Sequence, residues 1–302
     1  MRKAGIIVAG VVVLALAAAW LVYLPSVVVR ATRTPLDTTP AAFGVRYSDV
    51  QFPTQGGGLT LRGWWMPAAA PKGVVIYVHG GNGNRRGFYA GGLEMQAFLV
   101  GQGYSVLAFD QRNQGTSDAT ADGQITLGVE ESADVLGAID FLARQAPGLK
   151  VTLLADSMGG ATAIYAATRD ARIAGLMLID PALDADSVEL GALYANLGLP
   201  HVLLPAIAWS GRTFFAHAVE ARDALTEGEH LRQPILLIQD DRDPVCRPEF
   251  SRALAAANPR ATLWMSHDPD APTGRWGYHT GAWKLHQHDV ERLMLSFLSR
   301  AA

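Results

Sequence analysis

Cysteine is nearly absent from this 302-residue chain, which has only Cys246. An internal disulfide is thereby excluded, and so is a CxxC-type zinc site. A lone cysteine is compatible with either side of a membrane. No lysine- or arginine-rich run occurs, and the formal charge is -3. Phosphate backbones are held by clustered cations, so nucleic acid is not an expected partner. Internal repeats and low-complexity segments are also missing. Hydrophobic residues make up 49% of the chain, enough for a sizeable core. α/β folds often run past about 250 residues as one domain, so the length does not demand two.

Charge is missing from one long stretch. Arg2 and Lys3 precede 21 uncharged residues, 4–24. As a helix at 1.5 Å per residue these span roughly 31 Å, enough for a hydrocarbon core. Trp20 and Tyr23 stand near the far end, where interfacial aromatics belong. This predicts a transmembrane helix over residues 1–24, kept as a signal anchor in the cell membrane. Ala17 and Ala19 offer the alternative of signal-peptide cleavage and secretion, but apolar residues continue beyond them. The terminal amine, Arg2 and Lys3 outweigh Arg30 and Arg33, which favours the globular part on the extracytoplasmic side. Residues 25–45, with prolines, threonines and no helical period, read as a tether.

From there to residue 302 short apolar runs alternate with helical patterns. Strands are expected at 50–53, 59–66, 74–79, 105–110, 151–155, 175–180, 235–239 and 262–266. Helices are expected at 91–101, 127–145, 159–169, 248–257 and 287–299. Val135, Ile139 and Leu142 form one apolar helical face. The first two strands lack a helix between them and are expected to pair antiparallel. The remaining alternation predicts a mostly parallel eight-stranded sheet with helices on both faces. Residues 183–232 break the alternation. They are rich in Leu, Ala and aromatics, punctuated by Pro200 and Pro205, and read as a helical insert. It either covers core surface or caps a pocket. In the second case Trp209, Phe214 and Phe215 suggest an apolar acyl pocket, although the same residues could be packed core.

Ser157 stands in Ala155-Asp156-Ser157-Met158-Gly159, between an apolar run and a helix rich in small residues. A serine at a sharp strand-to-helix turn is held clear of the sheet, and the residues two before and two after must be small. The helix amino end and the Met158 N–H favour negative charge nearby. Ala155 departs from the usual glycine by one methyl. A bland alternative is a serine that caps the helix. The loop His79-Gly80-Gly81-Asn82-Gly83-Asn84 follows another strand. It lacks the Gly-Lys-Ser/Thr ending of a P-loop and does not fit GxGxxG. It reads as half of an oxyanion hole, in which the Gly81 N–H joins that of Met158, or else as a plain turn. His79 reads as a loop organiser.

A nucleophilic serine needs a base, and the base an orienting acid, here in the order serine, acid, histidine. Asp240, Asp241 and Asp243 follow the strand at 235–239. Asp243, on the loop before Pro244-Val245, is the first choice and Asp241 the second. His267, His279, His286 and His288 come late enough for the base. His286 and His288 fall on a helix, and His267 ends a strand. His279, in a loop before the last helix, is free to reach a cleft and is chosen.

With Asp110-Gln111-Arg112-Asn113-Gln114-Gly115 added, these segments resemble the α/β-hydrolase superfamily over residues 50–298. They are most similar to membrane-anchored bacterial hydrolases of the serine-aminopeptidase-like and monoglyceride-lipase-like group. That group shares an HG-x-x-G-N loop and a D-x-R-x-x-G-x-S segment, here Asp110 to Ser117. His279-Thr280-Gly281-Ala282-Trp283 is similar to its histidine loop. Ala155 and Gln114 depart from the pattern; many relatives have histidine at the latter. The resemblance implies ester, thioester or amide hydrolysis through an acyl-serine, without metal or organic cofactor, on a small-molecule acyl substrate. Asp110 is implied to be structural. A non-catalytic scaffold and acyl transfer are the rival readings. An aspartate nucleophile of the dehalogenase or epoxide-hydrolase type is disfavoured by Ser157.

Overall fold

The structure is a computed structural model that describes residues 2–24, 29–87, 91–217, 219–267 and 274–301. Its centre is one eight-stranded sheet: β1 (Ser48–Pro53), β2 (Thr60–Met66), β3 (Val74–Val78), β4 (Ser105–Phe109), β5 (Val151–Asp156), β6 (Ile173–Ile179), β7 (Ile235–Asp240) and β8 (Ala261–Ser266). The spatial order is β1-β2-β4-β3-β5-β6-β7-β8. β1 pairs antiparallel with β2, as expected, and β2 is also antiparallel to β4. The other neighbours are parallel, so the sheet is mixed.

Every residue of β3, β4, β5 and β7 is buried. Helices cover both faces, which is why these strands are continuous apolar runs and not alternating ones. Side chains alternate between two cores. Ile76 and Val78 join Leu153, Val135, Ile139 and Ile164 on one face, under α3 (Ser132–Gln145) and α4 (Met158–Ala167). Val75 and Tyr77 join Met95, Leu99, Val290 and Met294 on the other, under α2 (Gly92–Gly101) and the last helix (Gln287–Ala301). Truncating one such fully buried residue, Ile139→Ala, costs about 2–5 kcal/mol.

α3 begins at Ser132, five residues later than its apolar pattern predicts. The Glu131 carboxylate accepts the N–H groups of Thr126 and Gly128. Leu127 and Gly128 take positive φ values of 49° and 97°, so the chain turns before the helix starts. The next loop upstream is fixed by charge. Arg112 donates through its side chain and its N–H to the buried Asp134, whose other bond is from the Thr54 hydroxyl.

The amino-terminal run requires a correction. Its α-helix, α1, ends at Ala18, and Ala19–Tyr23 form a π-helix. No helix among the described residues is long and apolar enough to cross a membrane. The physical reason lies at the far end of the run. There the backbone passes from α- to π-helix, and Trp20 and Leu24 pack on the cluster Leu193, Leu204, Ile207 and Ala208. Of the stretch read as a tether, residues 25–28 lie outside the described residues. The rest lies along the domain: Val29 C=O accepts the Ile125 N–H, and the Ala31 N–H donates to Gly123 C=O.

Between β6 and β7 the chain forms α5 (Ala185–Leu197), a 3-10 turn (His201–Leu203), α6 (Leu204–Phe214) and α7 (Ala224–Glu229). This insert leaves and rejoins at one place, where the Leu225 N–H donates to Leu183 C=O at 3.1 Å. Trp209 and Phe214 pack edge to face at 5.6 Å and are more than half exposed, so neither is core.

Candidate active site

The loops that follow β3, β5 and β7 lie at the carboxyl ends of parallel strands, where α/β sheets place their ligands. Ser157 sits between β5 and α4 with φ 50° and ψ -122°. A non-glycine residue there costs on the order of 1–3 kcal/mol and persists only where its surroundings over-determine it. They do so here. The Ser157 N–H donates to Ile179 C=O, and its own C=O accepts from both Gly160 and Ala182. Small neighbours are obligatory. A Cβ on Gly159 would lie 2.2 Å from the Val78 carbonyl oxygen. Ala155, the one departure from glycine, is fully buried and its methyl packs in the core.

The structure brings Ser157, Asp243 and His279 together. His279 Nε2 is 2.9 Å from Ser157 Oγ, and His279 Nδ1 is 2.6 Å from Asp243 Oδ2. The other oxygen, Asp243 Oδ1, accepts the N–H groups of Val245 and Cys246. The second choices, Asp241 and His267, pair with one another at 2.6 Å, and His267 is exposed. His286 packs against Trp264 and His288 is almost fully exposed beside Glu291. Burial pulls the His279 pKa down. The Asp243 carboxylate, its hydrogen bond, and the Asp180 and Asp156 carboxyls pull it up further, to about 9. The imidazolium is the form this site stabilises.

Gly81 and Met158 are neighbours. A Cβ on Gly81 would lie 3.5 Å from Met158 Sδ and 3.8 Å from its Cβ. Met158 opens α4, so its N–H has no intrahelical partner. His79 is buried and works on its own loop. Its Nδ1 meets Gly80 C=O at 2.8 Å, and its Nε2 accepts the Gln111 N–H at 3.1 Å. Asp110 likewise holds loop backbone, accepting from the Arg85 and Thr116 N–H groups.

Two residues here carry no motif. Asp180 is buried at φ 43°, and its carboxyl accepts the Asp240 N–H through one oxygen and the Thr280 N–H through the other, each at 2.7 Å. It ties the loop of the acid to the loop of the histidine. Burial first, then the Asp243 carboxylate, pushes its pKa well up. Its position at a strand end was the available signal. Cys246 is buried beside the site, its sulfur within 4.8 Å of ligand atoms on Asp243 and His279. Burial and Asp243 push its thiol well up. A groove of about 1030 Å³ lies at the other end of the strands, beside Val151 and Ile235, remote from Ser157.

Residues 69–210 match the family described as serine aminopeptidase, S33. A human monoglyceride lipase is 34% identical over 155 residues, 48% of either chain. A rat monoglyceride lipase is 25% identical over 231 residues, covering 65% of this chain and 73% of that one. The chain spans about half the length of the curated relatives it matches first. An esterase from Pyrococcus furiosus superposes with a TM-score of 0.72 at 24% identity, covering 90% of this chain and 97% of that one.

Proposed function

We propose that this chain, which belongs to the α/β-hydrolase superfamily in its monoglyceride-lipase-like group, is a serine hydrolase that cleaves carboxylic esters through an acyl-serine. One observation carries the reading: a single imidazole, His279, bridges Ser157 Oγ and Asp243. In the proposed cycle Ser157 Oγ attacks the ester carbonyl while His279 Nε2 takes its proton. Asp243 holds the Nδ1–H tautomer and stabilises the imidazolium. The N–H groups of Gly81 and Met158 receive the oxyanion of the tetrahedral intermediate. Collapse breaks the bond to the alcohol, which leaves with the proton from His279. Water then attacks the acyl-serine by the same steps and releases the acid.

The strained backbone at Ser157 fits this role, because it is held against its own cost by three hydrogen bonds. The substrate class follows the esterase and lipase names of the relatives. Labelling with a fluorophosphonate tests the reading. The chain is expected to label and Ser157→Ala is not. Equal labelling of both, or none of either in folded protein, overturns it.

A further inference from the structure

We propose that residues 29–37 are a strap that sets the oxyanion loop, with Asn82 and Thr34 as positioning residues for ester hydrolysis. The inference rests on the serine hydrolase reading above.

Gly80 C=O and Gly81 N–H belong to the same planar, trans peptide, so they point in opposite directions. Whatever holds the Gly80 oxygen also aims the Gly81 N–H. That oxygen meets His79 Nδ1 at 2.8 Å and accepts the Gly83 N–H at 3.2 Å. The second contact closes a four-residue turn, Gly80 to Gly83. Asn82, at its third position, has φ 59° while Gly81 does not have positive φ. A positive φ at that position alone is the type II pattern. Closure of this turn by the Gly83 N–H, and with it that hold on the Gly80 oxygen, therefore depends on Asn82 keeping its left-handed conformation. Gly81 and Asn82 are exposed, so core packing does not hold them.

The strap does. The Thr32 N–H donates to Asn82 Oδ1 at 2.6 Å, and the Thr34 hydroxyl donates to Asn82 C=O at 2.7 Å. Both polar ends of Asn82 are gripped by one strand of chain. The strap is itself anchored on each side. The Arg33 guanidinium donates to Gly115 and Ser117 C=O at 2.8 Å each. The Asn84 amide donates to Thr34 and Pro35 C=O, and Arg86 pairs with Asp37 at 3.2 Å. The contacts to Asn82 and Asn84 join residues some 50 apart in sequence and converge on the loop that carries Gly81.

Thr34→Val removes the hydroxyl and keeps the shape; Thr34→Ser restores it. Using the full chain and a p-nitrophenyl ester, Thr34→Val is expected to lower kcat about fivefold, the effect of one hydrogen bond. KM is expected to stay within about twofold, because the oxyanion exists only after attack. A trifluoromethyl ketone, which adds to a serine and presents an oxyanion, is expected to bind more weakly by the same factor. Thr34→Ser is expected to match the unaltered chain in all three. An unchanged kcat in Thr34→Val, a loss confined to KM, or no recovery in Thr34→Ser overturns the strap. Turnover by the unaltered chain is the separate control. If it is active while Thr34→Val is unaffected, only the strap falls. If it is inactive, the serine hydrolase reading falls and the strap with it.

Discussion

Replacing Ser157 by glycine should leave the protein more stable than replacing it by alanine, and both changes should destroy the proposed activity. The comparison that isolates the effect is Ser157→Gly against Ser157→Ala. Both variants lose the hydroxyl and its contact with His279 at 2.9 Å, so that loss cancels. What differs is the backbone. At φ 50° and ψ -122° alanine keeps the strain of serine, about 1–3 kcal/mol, and glycine does not. Glycine in turn loses more conformational freedom on folding, roughly 0.5–1 kcal/mol relative to alanine. The net advantage is about 0.5–2 kcal/mol. At roughly 2–4 °C per kcal/mol for a domain of this size, Ser157→Gly should melt about 1–8 °C above Ser157→Ala. Differential scanning calorimetry of the two variants measures it. A glycine variant that melts at or below the alanine variant refutes the reasoning: the turn would then store no strain.

In the proposed cycle His279 must be neutral to take the serine proton, and its pKa is raised from 6.5 to about 9. The ascending limb of kcat/KM should therefore be centred near the same pH; a limb centred at or below 6.5 contradicts the electrostatic picture. Asp243→Asn removes the main groups that raise that pKa, so the limb should move to lower pH while kcat falls on the order of 10³–10⁴-fold. The same shift bears on stability. A pKa raised in the folded state contributes stability that is fully present below about pH 6.5 and is lost as pH rises through about 9, so Tm should fall over that window and less so in His279→Ala. Asp180→Asn leaves one of two N–H donors facing an amide NH₂, at a cost of about 1–3 kcal/mol. Melting and steady-state rates should show lower Tm and lower kcat together; an unchanged kcat would sever Asp180 from the positioning of His279. Gly159→Ala drives a methyl into the Val78 carbonyl and should cost about 3 kcal/mol or more, seen as a large drop in the urea midpoint.

The sheet was readable along the chain because its inner strands are buried on both faces, which writes β3, β5 and β7 as nearly continuous apolar runs. Ser157, Asp243 and His279 were readable for a different reason: the chemistry demands particular residue types in a particular order. What escaped lies in contacts with no period and no local signature. Asp180 looks like any aspartate at a strand end, and its two partners are 60 and 100 residues away. The strap over Asn82 is made of polar residues whose hydrogen bonds leave no hydrophobic pattern. The start of α3 was misplaced because the Glu131 carboxylate captures backbone N–H groups ahead of the helix. The amino-terminal run is uniformly apolar in sequence, and neither the end of its α-helix at Ala18 nor the packing of Trp20 and Leu24 on Leu193, Leu204 and Ile207 leaves a local signature.

The helical insert between β6 and β7 meets itself where Leu225 hydrogen-bonds Leu183. A segment whose two ends already touch can change length at little cost, since closure entropy grows only logarithmically and a doubling adds about 0.6 kcal/mol. The sheet and the Ser157 turn do not register how long the segment is. This is the geometry of an exchangeable cassette: the exposed stretches between Leu183 and Leu225 can change length by insertion, deletion or grafting, while Val188 and Ala195 stay tied to the core and Gly191 to the loop after Asp243.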